Sequence, residues 1–316
     1  MSCAKDVKKV LRDALQTSFI IFKIIIPVSI IIKIFSELGL IKFIGEATSP
    51  IMGLVGLPGD FGIIWVTTML INIYGGMIVF FNLSLINTYT VAQVTILGTM
   101  MLFAHTLPVE VRIAHKAGVR AWFTISLRIG CAFLIGFILS FIFEKFNILQ
   151  YENKVIWQPN ITNPTLIQWI LDQLRNYLMI FLIILGLIIL IHILKKIGVI
   201  QKLNVLMEPG LRLLGMSKNA APVTIIGMTL GLSYGGGLII KEVKDKILNK
   251  KDVFLSLSLM SLSHSLIEDT LLMVAIGANL IGILGARIIL TIIIIYLLIK
   301  IIKHLSKKNF EFFFTR

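Results

Sequence analysis

The sequence predicts an all-α integral membrane protein built from two inverted-topology repeats, each of three transmembrane helices, a re-entrant glycine-broken segment and an amphipathic helix. Three observations carry this. The mean hydropathy of the 316 residues is +0.94 and 57% are hydrophobic, which a water-soluble chain of this length does not need. Runs such as 17–35, 177–194 and 276–299 reach the roughly 20 residues a helix needs to cross a bilayer. Finally, the chain repeats. His105-Thr106-Leu107 returns as His264-Ser265-Leu266, Arg128 as Arg287, Gly39 as Gly198 and Pro50 as Pro209, all at an offset of 159. Tyr74-Gly75-Gly76 returns as Tyr234-Gly235-Gly236 at 160, which needs one inserted residue. Lipid-exposed backbone must pair internally, and unbroken Ile/Leu runs fit helices rather than the alternating pattern of a membrane barrel.

The elements follow the same order in both halves. Residues 1–16 are basic and amphipathic and read as a cytoplasmic segment on the membrane surface. The run after them is too long for a cleaved signal core and reads as a retained first span. Repeat one covers 17–145 and repeat two 175–303, separated by an external connector, 146–174, and followed by a basic cytoplasmic tail, 304–316. Within each repeat come a long apolar span (17–36; 175–194) and an amphipathic stretch with Gly and Pro (39–58; 198–217). An apolar segment broken by glycines follows (61–82; 222–240), then two further spans (91–108 and 119–143; 253–270 and 276–300).

Charge sets the orientation. The formal net charge is +14, and 22 of the 30 Lys and Arg lie in 1–16, 112–120, 195–218, 241–251 and 300–316. These stretches lie between apolar segments, so they read as cytoplasmic loops of a bacterial inner-membrane protein with both termini inside, and not as a nucleic-acid surface. Equivalent loops differ in charge: 241–251 is basic while 83–90 has no Lys or Arg. Inversion of one repeat relative to the other accounts for this, and it requires an odd number of crossings per half. Six spans with two re-entrant segments satisfy that count. The two cysteines, Cys3 and Cys131, provide no disulfide framework or thiolate cluster.

Three sets of residues carry candidate chemistry. Asn72, Tyr74, Gly75, Gly76 and Ser233, Tyr234, Gly235, Gly236 lie inside apolar runs. Adjacent glycines there either release the backbone to line a solute site or allow close helix packing. His105 with Glu110, and His264 with Glu268 and Asp269, stand at the expected ends of spans. They suit a metal ion or a proton relay, or else are solvated at the headgroups. His264 and Glu268, four apart, share a helix face, whereas Pro108 disturbs the turn between His105 and Glu110. Arg128 and Arg287 sit well inside the last span of each half. They either pair with these acids or face an anionic solute. There is no H-E-x-x-H pattern and no nucleophile constellation, so the chain reads as a non-enzyme.

The order of an amphipathic Gly/Pro stretch, a glycine-broken segment and a span ending in His and an acid resembles the Gate, or nucleoside recognition, domain. The matching segments are 38–86 with 97–136, and 197–243 with 257–297. Related domains occur in spore maturation membrane proteins, in the membrane half of the ferrous iron permease and in concentrative nucleoside transporters. The resemblance implies inverted repeats with re-entrant hairpins around a central site. The chain departs from the iron permease in lacking a Walker motif and in Cys131, whose counterpart is Leu290. It departs from the nucleoside transporters in its hairpins, whose polar residues are Asn72, Asn82 and Ser233.

The expected function is a permease moving a small polar or charged solute by alternating access. The solute classes are a divalent metal ion, a nucleoside-like molecule or an anion, and the coupling ions a proton or sodium. The partners are the bilayer, the solute and a second copy of the chain, not nucleic acid. The alternative is a non-transporting scaffold within another membrane complex.

Overall fold

The computed structural model describes residues 37–84, 88–154, 165–245 and 247–315, with scattered positions between 11 and 35. Of the expected first span, 17–36, twelve positions between 18 and 35 are described, and all are helical. Fourteen described helices follow one another: α1 (Leu40–Gly53), α2 (Phe61–Leu70), α3 (Ile73–Ser84), α4 (Val91–Phe103), α5 (Leu107–Lys116), α6 (Ala121–Lys145), α7 (Leu166–Lys196), α8 (Val199–Leu213), α9 (Ala220–Leu230), α10 (Leu232–Lys244), α11 (Lys250–Leu262), α12 (Glu268–Ala275), α13 (Leu280–His304) and α14 (Lys307–Phe314). Among the described residues the only extended pairings are isolated bridges, Thr90 with Glu152 and Val119 with Thr315.

The sequence repeat is also a repeat of local structure. Helices α8, α9, α10, α11 and α13 each begin 159 residues after α1, α2, α3, α4 and α6. Gly39 and Gly198 precede α1 and α8 with φ of 70° and 76°, a left-handed conformation that glycine adopts without a Cβ penalty. Pro50 and Pro209 lie at matching places inside those helices.

Among the described residues, four helical stretches are long and apolar enough to cross a membrane: Val91–Lys116, Ala121–Lys145, Leu166–Leu194 and Leu280–His304. The expected span 253–270 is instead two helices, α11 and α12, separated by Ser263–Ile267. Its counterpart α4–α5 is broken in the same way at Ala104–Thr106. Large apolar side chains such as Phe137, Phe141, Ile167, Leu178, Ile289 and Ile293 point outward from α6, α7 and α13, as lipid contact requires.

Helix α6, 25 residues or about 37 Å long, gives the bundle two ends. At its C-terminal end, Val91 and Ala92 donate to the carbonyls of Tyr151 and Leu149, so α4 starts there. At its N-terminal end, Arg120 N–H donates to Phe314 O, and Lys250 at the start of α11 pairs with Glu311 of α14 at 3.2 Å. The two broken spans α4–α5 and α11–α12 therefore enter from opposite ends of α6.

The glycine-broken segments are helical hairpins. Asp60, before α2, accepts from Tyr89 Oη at 2.6 Å, and α3 runs out at Ser84, so α2–α3 enters and leaves by the α4 end. Ser217 N–H, before α9, donates to Asp252 of α11 at 3.0 Å, so α9–α10 keeps to the other end. The reversals fall at Ile71–Asn72 and at Gly231 (φ 100°), ahead of the glycine clusters. Gly75, Gly76, Gly235 and Gly236 are helical and do not release the backbone. A Cβ on Gly76 would strike the Thr68 hydroxyl, and one on Gly235 the Gly227 backbone, so these glycines let the two arms of each hairpin touch.

Each half has its own apolar core, and each core borrows from the other half. The first, around Phe61, Phe80, Leu97 and Phe103, takes in Met273, Ile276 and Ile283. The second, around Phe254, Leu257 and Ile295, takes in Ala114, Val119 and Phe123. The C-terminal stretch 304–316 contains α14, whose Phe310 and Phe314 pack against Phe254.

Candidate functional site

The two broken spans meet at their breaks. Helix α4 ends at Phe103, Thr106 takes φ 49°, and α5 starts at Leu107 with Pro108 in its first turn. Helix α11 ends at Leu262 and Ser265 takes φ 45°. Such left-handed non-glycine residues cost about 1–3 kcal/mol and persist because neighbours hold them. Thr106 N–H donates to Thr68 O at the tip of the first hairpin, and Leu266 N–H to Met228 O at the tip of the second, both at 3.0 Å.

His105 and His264 are thus in mid-bundle, not at the ends of spans as the hydropathy pattern suggested. They are 5% and 3% exposed. Their Nε2 atoms lie 2.8 Å apart. Each Nδ1 faces a carbonyl one turn back, Met101 O at 3.0 Å and Met260 O at 2.8 Å. A carbonyl only accepts, so both Nδ1 atoms carry hydrogen. Glu110 Oε1 lies 3.3 Å from His105 Nε2 and 3.1 Å from His264 Nε2. Asp269 Oδ2 lies 3.6 Å from His105 Nε2. His105, His264 and Asp269 offer ligand atoms within 4.8 Å of one another.

The acid equivalent to Glu110 is Asp269, 159 residues on, and not Glu268. The expected helical pairing of His264 with Glu268 fails because residues 263–267 are not α-helical. Glu268 instead accepts from Tyr74 Oη at 3.3 Å, tying the second half to the first hairpin.

The arginines lie behind the histidines and are fully buried, each 0% exposed. Arg128 Nη2 donates to His105 O at 3.0 Å and Nη1 pairs with Glu110 Oε2. Arg287 donates through Nε to Leu262 O at 2.9 Å and through Nη2 to His264 O at 2.8 Å. Carbonyls freed where a helix stops need donors, and in low dielectric an unmet one is costly. Both guanidiniums supply that need, a role not visible in the sequence.

The remaining candidates lie in the hairpins. Asn72 Oδ1 accepts from Gly75 N–H at 2.8 Å and so caps α3. Asn82 accepts from Gln173 of α7 at 3.0 Å. Gly236 packs on Ile113 of the first half. The side chains of Ser233 and Tyr234 lie outside those described.

No solved structure matches this chain. The "Uncharacterized membrane protein YvoD" of Bacillus subtilis (strain 168) is 27% identical, over 94% of this chain and 94% of its own length. Residues 177–287 match the family model Gate, described as nucleoside recognition. That stretch runs from α7 through the second hairpin and the second broken span, and ends on the arginine that caps the break. Over residues 177–287 this membrane protein is similar to the Gate, or nucleoside recognition, domain.

Proposed function

We propose that the protein is a permease, not an enzyme, and that it moves a small polar or charged solute by alternating access between two inverted repeats. One observation carries the reading: two spans entering from opposite ends of the bundle break at mid-depth, and their breaks bring two imidazoles, two carboxylates and two hairpin tips together. Broken helices and polar groups at that depth are costly in lipid and belong to transport sites. The hairpins are re-entrant on this reading. The bundle end that gathers Arg112, Lys116, Arg120, Lys244, Lys250, Lys251, Lys307 and Lys308 is cytoplasmic by the positive-inside bias of a bacterial inner membrane.

A non-transporting scaffold is the second reading. The observation in its favour is closure: no side chain among His105, Glu110, His264 and Asp269 belongs to a residue more than 7% exposed. Thr106 and Ser265, beside the two histidines, separate the readings. In a background with Cys3 and Cys131 replaced, Thr106→Cys and Ser265→Cys are treated with a small charged thiol reagent from each side of inverted and right-side-out vesicles. A permease lets the reagent reach them from both sides, and binding of its solute changes the rates. Thiols silent from both sides, in a chain that still purifies as a single species, defeat the permease. Reagent controls at Ser84→Cys and Asn249→Cys report orientation: labelling from outside at the first alone supports inversion.

A further inference from the structure

We propose that His105, His264, Glu110 and Asp269 form a site for one divalent transition-metal ion at the crossing of the two broken spans. For the metal's role as cargo, the inference rests on the permease reading above.

Because both Nδ1 atoms donate to carbonyls, both Nε2 atoms of neutral rings present lone pairs, and these face each other at 2.8 Å. Glu110 Oε1 adds a third acceptor at 3.1 and 3.3 Å, and Asp269 Oδ2 a fourth at 3.6 Å from His105. Acceptors at such separations repel unless a cation lies among them. Overall charge is not what calls for it, since Arg128 and Arg287 already offset two carboxylates. The converging lone pairs are.

A single proton shared by the two Nε2 atoms relieves only the imidazole pair and leaves Glu110 Oε1 and Asp269 Oδ2 facing His105 Nε2 as further acceptors. A metal ion accounts for all four. Bonds of about 2.0–2.1 Å in tetrahedral array set ligand atoms about 3.3 Å apart. The separations of 2.8, 3.1, 3.3 and 3.6 Å bracket that value. Ring Nδ1–H bonded to a carbonyl is the outer-shell arrangement that fixes the tautomer and presents Nε2 to a metal. Two imidazoles with two carboxylates suit zinc, iron, cobalt or manganese rather than magnesium or calcium, which prefer oxygen alone. Each half supplies one imidazole and one carboxylate, so the ion joins the halves.

The test uses the full chain in detergent, stripped with chelator and titrated with Co2+, whose visible absorption bands report tetrahedral coordination. One ion per chain is expected, with affinity reduced about tenfold or more in Glu110→Gln and in Asp269→Asn. Both changes are nearly isosteric, and a His264→Gln variant that elutes as the wild type adds a third arm. No tetrahedral bands in the wild type, or bands and affinity unaltered in all three variants, overturns the site. Co2+ entry into proteoliposomes, followed by quenching of a trapped dye, tests the cargo role separately. Binding without entry overturns that role even if the vesicle thiols show a permease. Entry of other solutes without Co2+ binding overturns the metal site and leaves the permease.

Discussion

The two halves solve one problem with unequal means. Each breaks a span beside a histidine and turns a buried arginine onto the carbonyls that the break exposes. In the first half, Arg128 gives one nitrogen to His105 O and another to Glu110. In the second, Arg287 gives two to the backbone, at Leu262 and His264. The first break is followed by Pro108, while the second has Ile267 in that place and breaks all the same. What the halves share is therefore the capped break. The proline and the ion pair are local additions.

A double-mutant cycle puts the largest strain on this comparison. Arg128→Leu strands a buried Glu110 and should cost about 3–5 kcal/mol, and Glu110→Gln should restore part of it, with a coupling of about 2 kcal/mol. The Arg287→Leu and Asp269→Asn cycle should show a coupling of about 1 kcal/mol or less. Denaturation of the purified protein followed by tryptophan fluorescence measures both, and equal couplings would erase the distinction between the halves.

The hairpin glycines sharpen it at the next level. Gly235→Ala pushes a methyl against the Gly227 backbone, which cannot yield, and should cost about 1–3 kcal/mol. Gly76→Ala meets the Thr68 side chain, so Thr68→Ala should rescue it. Thermal melts of the single and double variants check this, and rescue failing at Gly76 would mean that its packing too is set by backbone.

The aromatic helix α14 has no described counterpart after the first half and fastens only one end of the bundle. Phe310→Ala removes a largely buried ring from Phe254 and should cost about 2–3 kcal/mol. Protease susceptibility should then rise at the Arg120 end and not near Tyr89. The smallest effect belongs to Lys250 and Glu311, a partly exposed pair at 3.2 Å, where Glu311→Gln should change stability by about 0.5 kcal/mol or less in melts with and without salt.

Much of the site was legible in the sequence because spacing survives where geometry is not stated. The offset of 159 alone pairs His105 with His264 and Arg128 with Arg287. Their meeting at 2.8 Å depends on two spans stopping halfway, and hydropathy reads straight through such a stop because the residues on both sides are apolar. Helical spacing favoured Glu268 as the partner of His264, yet the spacing rule holds only where the chain is helical, and 263–267 is not. The tyrosine–glycine clusters were visible, but the reversal falls before them, at Asn72 and Gly231, since the glycines are spent on contact between hairpin arms. The tail read as basic because its lysines dominate composition, while its packing rests on phenylalanines three and four residues apart.

The offset of 159 has a consequence for ancestry. One copy of the repeat holds one imidazole, one carboxylate and one capping guanidinium, which is half of the central cluster. Two copies of a half-length chain, inserted in opposite orientations and crossing at their breaks, would assemble the whole of it without any new residue. Duplication and fusion would then have joined a working pair, and the small inequalities between Arg128 and Arg287, or Pro108 and Ile267, are the drift that becomes possible once the two copies no longer share one gene sequence.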